Sequence, residues 1–333
     1  MTEIANLKER LEAYLRTKFP QRKQLAVTEF NRVAGGYSSM TYFFTASWQE
    51  SRAPVSETLV IRMLPEMGPV PPYDIRPQYE AMTTVHRGGL PVPKIHWLEM
   101  DSGVLGHHFF VMDKVDGEMM MFVYPREPQF QTQLKQEYID YLAKIHALDW
   151  RPLNFSALQP PQSNRHHAER EIERWQWAME RNQYGPQPLL TEALVWLKNN
   201  IPSAERTSLC HGDYTAANMF CRDGHIVAIF DWELASLGDP VSDLGFACMM
   251  NDTMRWGFWD DKEFIMAYEK ASGVKVSGES FFFWKLLSYV KLAVAELGAI
   301  RTALESEKLE VHQFTHLVLS RRIFKAVADM LGF

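Results

Sequence analysis

A carboxylate, an amide and a second carboxylate follow one another at short intervals in the second half of the chain. Asp213 comes first, Asn218 follows five positions later, and Asp231 ends the apolar segment 226–230. Phosphoryl transfer needs a carboxylate that takes the proton of the acceptor hydroxyl, and oxygen ligands that hold magnesium against the phosphates. The spacing therefore predicts Asp213 as the catalytic base, with Asn218 and Asp231 as magnesium ligands.

Each of these three side chains also has a purely structural interpretation. Asp213 and Asn218 are residue types that stabilise turns, and Asp231 could cap a short helix after it. Three separate turns or caps would not require this spacing. Their combination therefore favours the catalytic interpretation.

Two further residues, His211 and Asp243, are expected to support this loop. Asp239 followed by Pro240 predicts the start of a helix, and Asp243 lies one turn into it. From there its carboxylate would accept hydrogen bonds from the loop backbone. A metal hydrolase built from His211 and Asp213 is disfavoured, because the sequence shows no further cluster of ligands.

An arginine occurs on an otherwise apolar strand face. Strand alternation puts Arg62 on the same side as Val60 and Leu64. Because an unpaired buried charge is very unfavourable, the guanidinium needs an anionic partner. We expect Glu80, on a short helix predicted around 77–88, and the nucleotide phosphates to be these partners. The alternative is an edge-strand arginine that reaches solvent.

A glycine- and serine-rich segment joins the first two predicted strands. Gly35, Gly36, Ser38 and Ser39 would let backbone N–H groups and hydroxyls approach phosphate oxygens. Adjacent glycines are equally typical of an ordinary β-turn. This segment therefore supports a phosphate site only in combination with the rest of the chain.

The hydrophobic periodicity divides the chain into a β-rich part and a helical part. Before residue 115 we expect a helix over 3–19, strands over 25–33, 41–48, 57–64, 94–99 and 107–115, and the short helix around 77–88. After Gly117, helices are expected along the stripe 134–148 and over 166–183, 188–200, 259–271, 278–304 and 306–331. A hairpin turned by Asp223 and Gly224 interrupts them. The predicted fold class is α+β, with a nucleotide-binding lobe over 1–115, a helical lobe with the catalytic loop and acceptor site over 116–333, and a hinge near 112–117.

Composition excludes several classes of protein. A net charge of −6 and a pI near 6.0 argue against a nucleic-acid partner. The most apolar long stretch, 281–300, contains Lys285, Lys291 and Glu296, so no membrane span is expected. The three cysteines lack CxxC spacing, and no signal-peptide pattern is present, so we expect reduced thiols and a cytoplasmic location.

Taken together, these residues resemble the aminoglycoside phosphotransferase and choline kinase superfamily, whose fold is protein-kinase-like and bilobal. Within it, the segments GGYSSMTY, LVIRMLP and DWELASLGDPVSDLGF are similar to the kinase-like domain fused to acyl-CoA dehydrogenases in animals and to its free-standing bacterial relatives. The resemblance implies ATP (or GTP) and Mg²⁺ as cofactors. It also implies that adenine binds backbone groups of the hinge, near Met112 and Lys114.

Two departures from the family pattern stand out, and a third residue differs from protein kinases. Ser39 occupies a position where the resemblance leads us to expect asparagine, and the proline-rich loop 66–74 is unusual for the family. Gly212 replaces the arginine that protein kinases use to sense a phosphorylated loop. We therefore do not expect activation by loop phosphorylation.

The sequence thus predicts an enzyme that transfers the γ-phosphate of ATP to a hydroxyl of a small-molecule acceptor. The resemblance to the dehydrogenase-fused domain implies a hydroxy acid or a hydroxyacyl thioester as acceptor. The mixed charges over 165–181 do not concentrate the carboxylates that a polycationic aminoglycoside would need. A genuine aminoglycoside kinase and a silent nucleotide-binding scaffold remain the alternatives, and the sequence leaves the oligomeric state open.

Overall fold

The computed structural model describes residues 2–33, 40–50, 53–64, 74–305 and 313–333. Within these ranges the strands are β1 (Lys23–Arg32), β2 (Met40–Gln49), β3 (Pro54–Met63), β4 (Ile95–Glu99), β5 (Phe109–Asp113), β6 (Glu118–Met119), β7 (Ser208–Cys210), β8 (Met219–Arg222), β9 (His225–Ile229) and β10 (Ser236–Gly238). The helices are α1 (Thr2–Lys18), α2 (Arg76–Arg87), α3 (Ser102–Leu105), α4 (Met120–Arg126), α5 (Gln131–Ala147), α6 (His166–Asn182), α7 (Pro188–Asn199), α8 (Val241–Met254), α9 (Asp261–Ser272), α10 (Gly278–Glu305) and α11 (Gln313–Leu331).

The N-terminal lobe is an antiparallel five-stranded sheet in the order β1-β2-β3-β5-β4. All five of its strands were predicted from the sequence pattern. The connection between β4 and β5 contains the single helical turn α3. There the side chain of Asp101 accepts a hydrogen bond of 2.8 Å from the N–H of Gly103, which begins the turn.

The two faces of this sheet contribute to two different hydrophobic clusters. On one face, α1 buries Leu11 and Leu15 against strand residues such as Ile61. On the other face, Val60 and Phe110 join the large cluster of the helical lobe, to which α2 also contributes. Neighbouring residues of a strand point to opposite faces of the sheet, so Arg62 lies on the face opposite Ile61. This is the face of Val60 and Phe110, which is directed toward the helical lobe.

The C-terminal lobe is mainly helical, and the fold as a whole is α+β and bilobal. The helix α6 packs along α10, where the His167 and Trp284 rings lie 4.9 Å apart. The helix α4 was not predicted, because Pro125 within it interrupts a helical pattern. Among the described residues, no helix combines the length and the apolar character needed to cross a bilayer.

Short strands in the helical lobe carry the loop that contains Asp213. The predicted hairpin is present as β8 and β9, and its two turn residues, Asp223 and Gly224, both have positive φ (53° and 80°). Two strands that the sequence did not reveal, β7 and β10, pair through Leu209 and Leu237. Because β7 ends at Cys210, the next residues of the chain are anchored directly beside β10.

Candidate active site

The backbone of the loop after β7 is held by one buried carboxylate. Asp243 is fully buried on α8, and its two oxygens accept hydrogen bonds of 2.7 Å from the N–H groups of His211 and Gly212. His146 binds the same carboxylate through Nε2 at 3.0 Å. Burial alone would raise the pKa of Asp243, but the hydrogen bonds from His146 and from the loop backbone outweigh it and hold the pKa below its ordinary value. The support predicted for Asp243 is therefore present.

Gly212 is at a position that excludes a side chain. Its φ is +83°, and a Cβ atom there would lie only 2.3 Å from the carbonyl oxygen of Leu234. A left-handed backbone and this close approach together require glycine. The absence of arginine at this position thus has a steric reason within the fold.

His211 links the loop to the end of β9. Its Nδ1 accepts a hydrogen bond of 3.1 Å from the N–H of Asp213, so its Nε2 carries the proton and donates to the carbonyl of Phe230 at 2.8 Å. Burial lowers the pKa of His211, which keeps the ring neutral at pH 7. The ring therefore acts as a spacer that fixes Asp213 relative to the residue before Asp231.

Asn218 and Asp231 are brought to the same end of the hairpin. The Asn218 side chain donates through Nδ2 to the carbonyl of Asp213 at 3.0 Å, and the Phe230 N–H donates to the Asn218 carbonyl at 2.8 Å. Asp231 has φ 64° and ψ 58°, a left-handed conformation that non-glycine residues adopt rarely and that often marks functional sites. Asp231 does occupy the position before the short helical turn Trp232–Leu234, but within the described chain its side chain makes no capping hydrogen bond to that turn.

Arg62 reaches these residues from the other lobe. Its Nη2 lies 2.5 Å from Oδ1 of Asp231 and 3.3 Å from Oε2 of Glu233. Its Nε is buried and has no hydrogen-bond partner among the described residues. Glu233 was not singled out from the sequence, although its position two residues after Asp231, beyond the end of the strand, was the available signal.

The predicted partnership between Arg62 and Glu80 is wrong. Glu80 lies on α2 as expected, but its carboxylate accepts hydrogen bonds from the backbone of residues 156–158. The carboxylates beside Arg62 come from Asp231 and Glu233, since β3 directs the guanidinium across to the helical lobe. Glu80 therefore has no contact with Arg62 in this structure.

The remaining predicted nucleotide residues fall into two groups. Met112 is buried within β5, opposite Val60, so its side chain shares the face of the sheet that carries Arg62. Lys114 follows the strand and pairs with Asp116. The glycine-rich group, Gly35, Gly36, Ser38 and Ser39, lies outside the described residues, as do residues 66–73 of the proline-rich loop.

The electrostatic environment of Asp213 is unusual for a carboxyl group. Its burial raises the pKa well above the ordinary value, and the negative charges of Asp231 and Glu233 raise it further. The hydrogen bond from Asn218 and the positive charge of Lys291 on α10 act in the opposite direction. A carboxylate whose pKa is raised toward neutrality is a better proton acceptor than an ordinary one.

A bilobal fold with a carboxylate loop in one lobe and a facing arginine in the other defines the class of kinase-like phosphotransferases. The chain belongs to the phosphotransferase enzyme family, whose family model matches residues 29–282. Among solved structures it is similar to a Ralstonia eutropha protein provisionally named an aminoglycoside phosphotransferase, with a TM-score of 0.73, 22% identity and 97% of each chain covered. It is also similar to a thermostable mutant of aminoglycoside phosphotransferase APH(4)-Ia, in a ternary complex with AMP-PNP and hygromycin B, with a TM-score of 0.60 and 14% identity, covering 96% of this chain and 98% of that one.

A curated relative of the chain is considerably longer than the chain itself. The chain is 24% identical over 324 residues to acyl-CoA dehydrogenase family member 11 of Gallus gallus. This match covers 90% of the present chain but only 40% of the chicken protein. The similarity is thus to one part of a larger protein.

Proposed function

We propose that this protein is an ATP- and Mg²⁺-dependent phosphotransferase that moves the γ-phosphate to a hydroxyl of a small molecule. The contact between Arg62 of β3 and Asp231 of the helical lobe carries the proposal. It brings together, between the two lobes, the cation that we propose for phosphate binding and the carboxylate that we propose for metal binding. Family membership and the fold of the solved relatives support the same reaction class.

Asp213 is the proposed base. Its loop is fixed from two sides, by Asp243 through the backbone of His211 and Gly212 and by the ring of His211. Such anchoring positions a carboxylate for the acceptor hydroxyl without reorganisation at the moment of reaction. Asp213 would orient that hydroxyl and accept its proton as the oxygen attacks the γ-phosphorus. The bond between this phosphorus and the β–γ bridging oxygen of ATP would break at the same time, and ADP would leave.

Asn218 and Asp231 are the residues that would hold magnesium. The hydrogen bond that Asn218 makes through Nδ2 leaves its Oδ1 as an available ligand atom, and Asp231 supplies a carboxylate. One neutral oxygen and one carboxylate suit a hard cation that retains several waters. When bound, Mg²⁺ neutralises charge on the phosphates.

Arg62 would bind the phosphates of the nucleotide. Its buried Nε, unpaired within the described chain, is a donor that needs an acceptor, and a phosphate oxygen would satisfy it. Met112 shares the sheet face with Arg62 and would contact the base, whose polar edge would meet the backbone near Lys114. The donor set thus fits a nucleoside triphosphate.

For the acceptor, we propose a hydroxy acid or a hydroxyacyl thioester in preference to an aminoglycoside. The similarity to acyl-CoA dehydrogenase family member 11 supports this class. Where α6 packs against α10, Glu171 already forms an ion pair of 2.8 Å with Lys291. Burial alone would raise the pKa of Glu171, but the positive charge of Lys291 outweighs it and keeps the pKa low. The pairing reduces the negative charge that a polycation would require.

A transfer screen tests the proposal. Purified protein, Mg²⁺ and ATP labelled in the γ-phosphate would be incubated with hydroxy acids, hydroxyacyl-CoA thioesters, amino alcohols, sugars and aminoglycosides, with GTP in parallel. We expect label on a hydroxy acid or thioester. Transfer to aminoglycosides alone would identify an antibiotic kinase, and tight MgATP binding without any transfer would identify a silent scaffold.

A further inference from the structure

The carboxylate of Glu80 occupies a nest of backbone N–H groups. Its Oε1 accepts hydrogen bonds of 2.6 Å from both the N–H and the hydroxyl of Ser156, and its Oε2 accepts from Ala157 at 3.1 Å and from Leu158 at 2.9 Å. Partial burial alone would raise the pKa of Glu80, but these hydrogen bonds outweigh it and lower the pKa. Three successive N–H groups around one anion form a specific and directional site.

This nest joins parts of the molecule that are remote in sequence. Glu80 belongs to α2, which lies between β3 and β4 of the N-terminal lobe in the sequence, whereas residues 156–158 belong to the segment that leads into α6. The next residue, Gln159, accepts a hydrogen bond from Nη1 of Arg170, whose Nη2 donates to the carbonyl of Leu237. Leu237 pairs with Leu209 on the strand that leads into the catalytic loop. A polar connection therefore runs from α2 to that loop.

We propose that Glu80 is a positioning residue that sets the spacing of the two lobes. By holding the N–H groups of residues 156–158, it fixes α2 and the adjoining sheet relative to the segment before α6. The alignment of Arg62 with Asp231 across the cleft depends on this spacing. The effect on nucleotide binding rests on the proposed function, whereas the effect on lobe spacing does not.

Two substitutions and one matched control test this role. Glu80→Gln keeps the shape of the side chain but turns an amide N–H toward backbone donors. Ser156→Ala removes one of the hydrogen bonds while the carboxylate stays. Glu137→Gln is the control, because Glu137 also accepts a backbone N–H, that of Ile226 at 2.7 Å, but both partners lie in the helical lobe.

Pulsed electron–electron double resonance measures the spacing of the lobes directly, as the distribution of distances between two spin labels. The labels are attached at Lys23→Cys and Glu192→Cys, both exposed, because the three native cysteines are buried. Amide hydrogen exchange at residues 157 and 158 reports on the nest itself. Calorimetric titration with AMP-PNP and Mg²⁺ reports on the nucleotide site.

We expect Glu80→Gln to broaden the distance distribution, to accelerate exchange at residues 157 and 158, and to weaken AMP-PNP binding by about 5-fold or more. Ser156→Ala should change all three in the same direction but less. Glu137→Gln should change none of these three measurements, even where it lowers the thermal stability of the protein as much as Glu80→Gln does.

An unchanged distance distribution in folded Glu80→Gln would overturn the proposal. Equal broadening in Glu137→Gln would do the same, because general destabilisation would then explain the effect. If Glu80→Gln does not fold, Ser156→Ala decides, and wild-type exchange at residues 157 and 158 in that variant counts against the proposal. If the wild type binds no AMP-PNP, the proposed function fails, while the distance measurement still judges the role of Glu80.

Discussion

Arg62 and Asp231, separated by 169 positions in the chain, form an ion pair of 2.5 Å between the two lobes. The pair is accompanied by Glu233 at 3.3 Å, so one guanidinium nitrogen contacts two carboxylates. A second nitrogen of the same group, the buried Nε, has no hydrogen-bond partner within the described chain. Arg62 thus contacts the proposed metal ligand and retains a donor for phosphate.

Replacing Arg62 should weaken nucleotide binding in a graded manner. Arg62→Lys retains the charge but not the fork of donors, and we expect affinity for AMP-PNP with Mg²⁺ to fall about 10-fold. Arg62→Met also removes the charge and should lower affinity about 100-fold. Arg22→Met is the control, since Arg22 stacks on Trp48 of the same lobe, 3.8 Å from the ring centroid. Calorimetric titration measures all three, and equal affinities for Arg62→Met and wild type would exclude phosphate binding by Arg62.

Asp243→Asn should destabilise the protein strongly. An asparagine presents one amide nitrogen toward N–H donors that now share two carboxylate oxygens, so at least one buried donor becomes unpaired. We expect the free energy of unfolding to fall by about 3 kcal/mol. Asp116→Asn, at an exposed carboxylate paired with Lys114, should change stability little. Urea unfolding, monitored by circular dichroism, checks both variants. Equal unfolding midpoints for Asp243→Asn and Asp116→Asn would show that Asp243 does not anchor the loop.

Gly212→Ala should destabilise the loop that carries Asp213 by more than the cost of placing alanine at a positive φ. The new Cβ would meet the Leu234 carbonyl oxygen at 2.3 Å, and we expect a loss of more than about 2 kcal/mol of stability. Gly257 has φ +65°, but no described atom lies within 4 Å of the position that an added methyl group would take. Gly257→Ala therefore isolates the cost of positive φ, at about 1 kcal/mol. Thermal unfolding measures the stability of both variants. A smaller loss of stability in Gly212→Ala than in Gly257→Ala would contradict the close approach of Gly212 to the Leu234 carbonyl.

Stability should fall between about pH 6.5 and pH 4 because of His167. Burial lowers its pKa from 6.5 to about 4, and its Nδ1 accepts a hydrogen bond of 3.0 Å from the N–H of Asp239. In this window the unfolded chain binds a proton that the folded chain excludes, so acidification favours unfolding by up to about 3 kcal/mol. His167→Gln should flatten this part of the pH profile, whereas His86→Gln, at an exposed position, should preserve it. Urea unfolding at several pH values measures both slopes, and identical slopes for His167→Gln and wild type would rule out this origin.

Local patterns were sufficient to predict much of the fold. The alternation along β1 to β3 and the turn residues Asp223 and Gly224 gave strands and a hairpin that the structure confirms. The short strands β6, β7 and β10 were missed, since two or three residues carry no periodicity of their own. The helix α4 was missed because Pro125 is atypical of a helix interior.

The candidate site was predictable where its residues are close in sequence. Asp213, Asn218 and Asp231 are joined by a hairpin, so their spacing already implied proximity. The partner of Arg62 could not be found in this way, because it depends on which carboxylates of the other lobe face β3. For the same reason Glu80 was given the wrong partner: three backbone N–H groups at residues 156–158 leave no signature in the side-chain sequence.

Asp213 is the residue that we propose as acceptor of the hydroxyl proton during phosphoryl transfer. The most direct measurement compares wild type and Asp213→Asn for transfer of labelled γ-phosphate to the best acceptor of the screen, with AMP-PNP affinity measured on the same preparations. We predict that transfer falls by about 10³-fold while affinity changes less than about 3-fold. Transfer at the wild-type rate by Asp213→Asn would show that Asp213 is not the base.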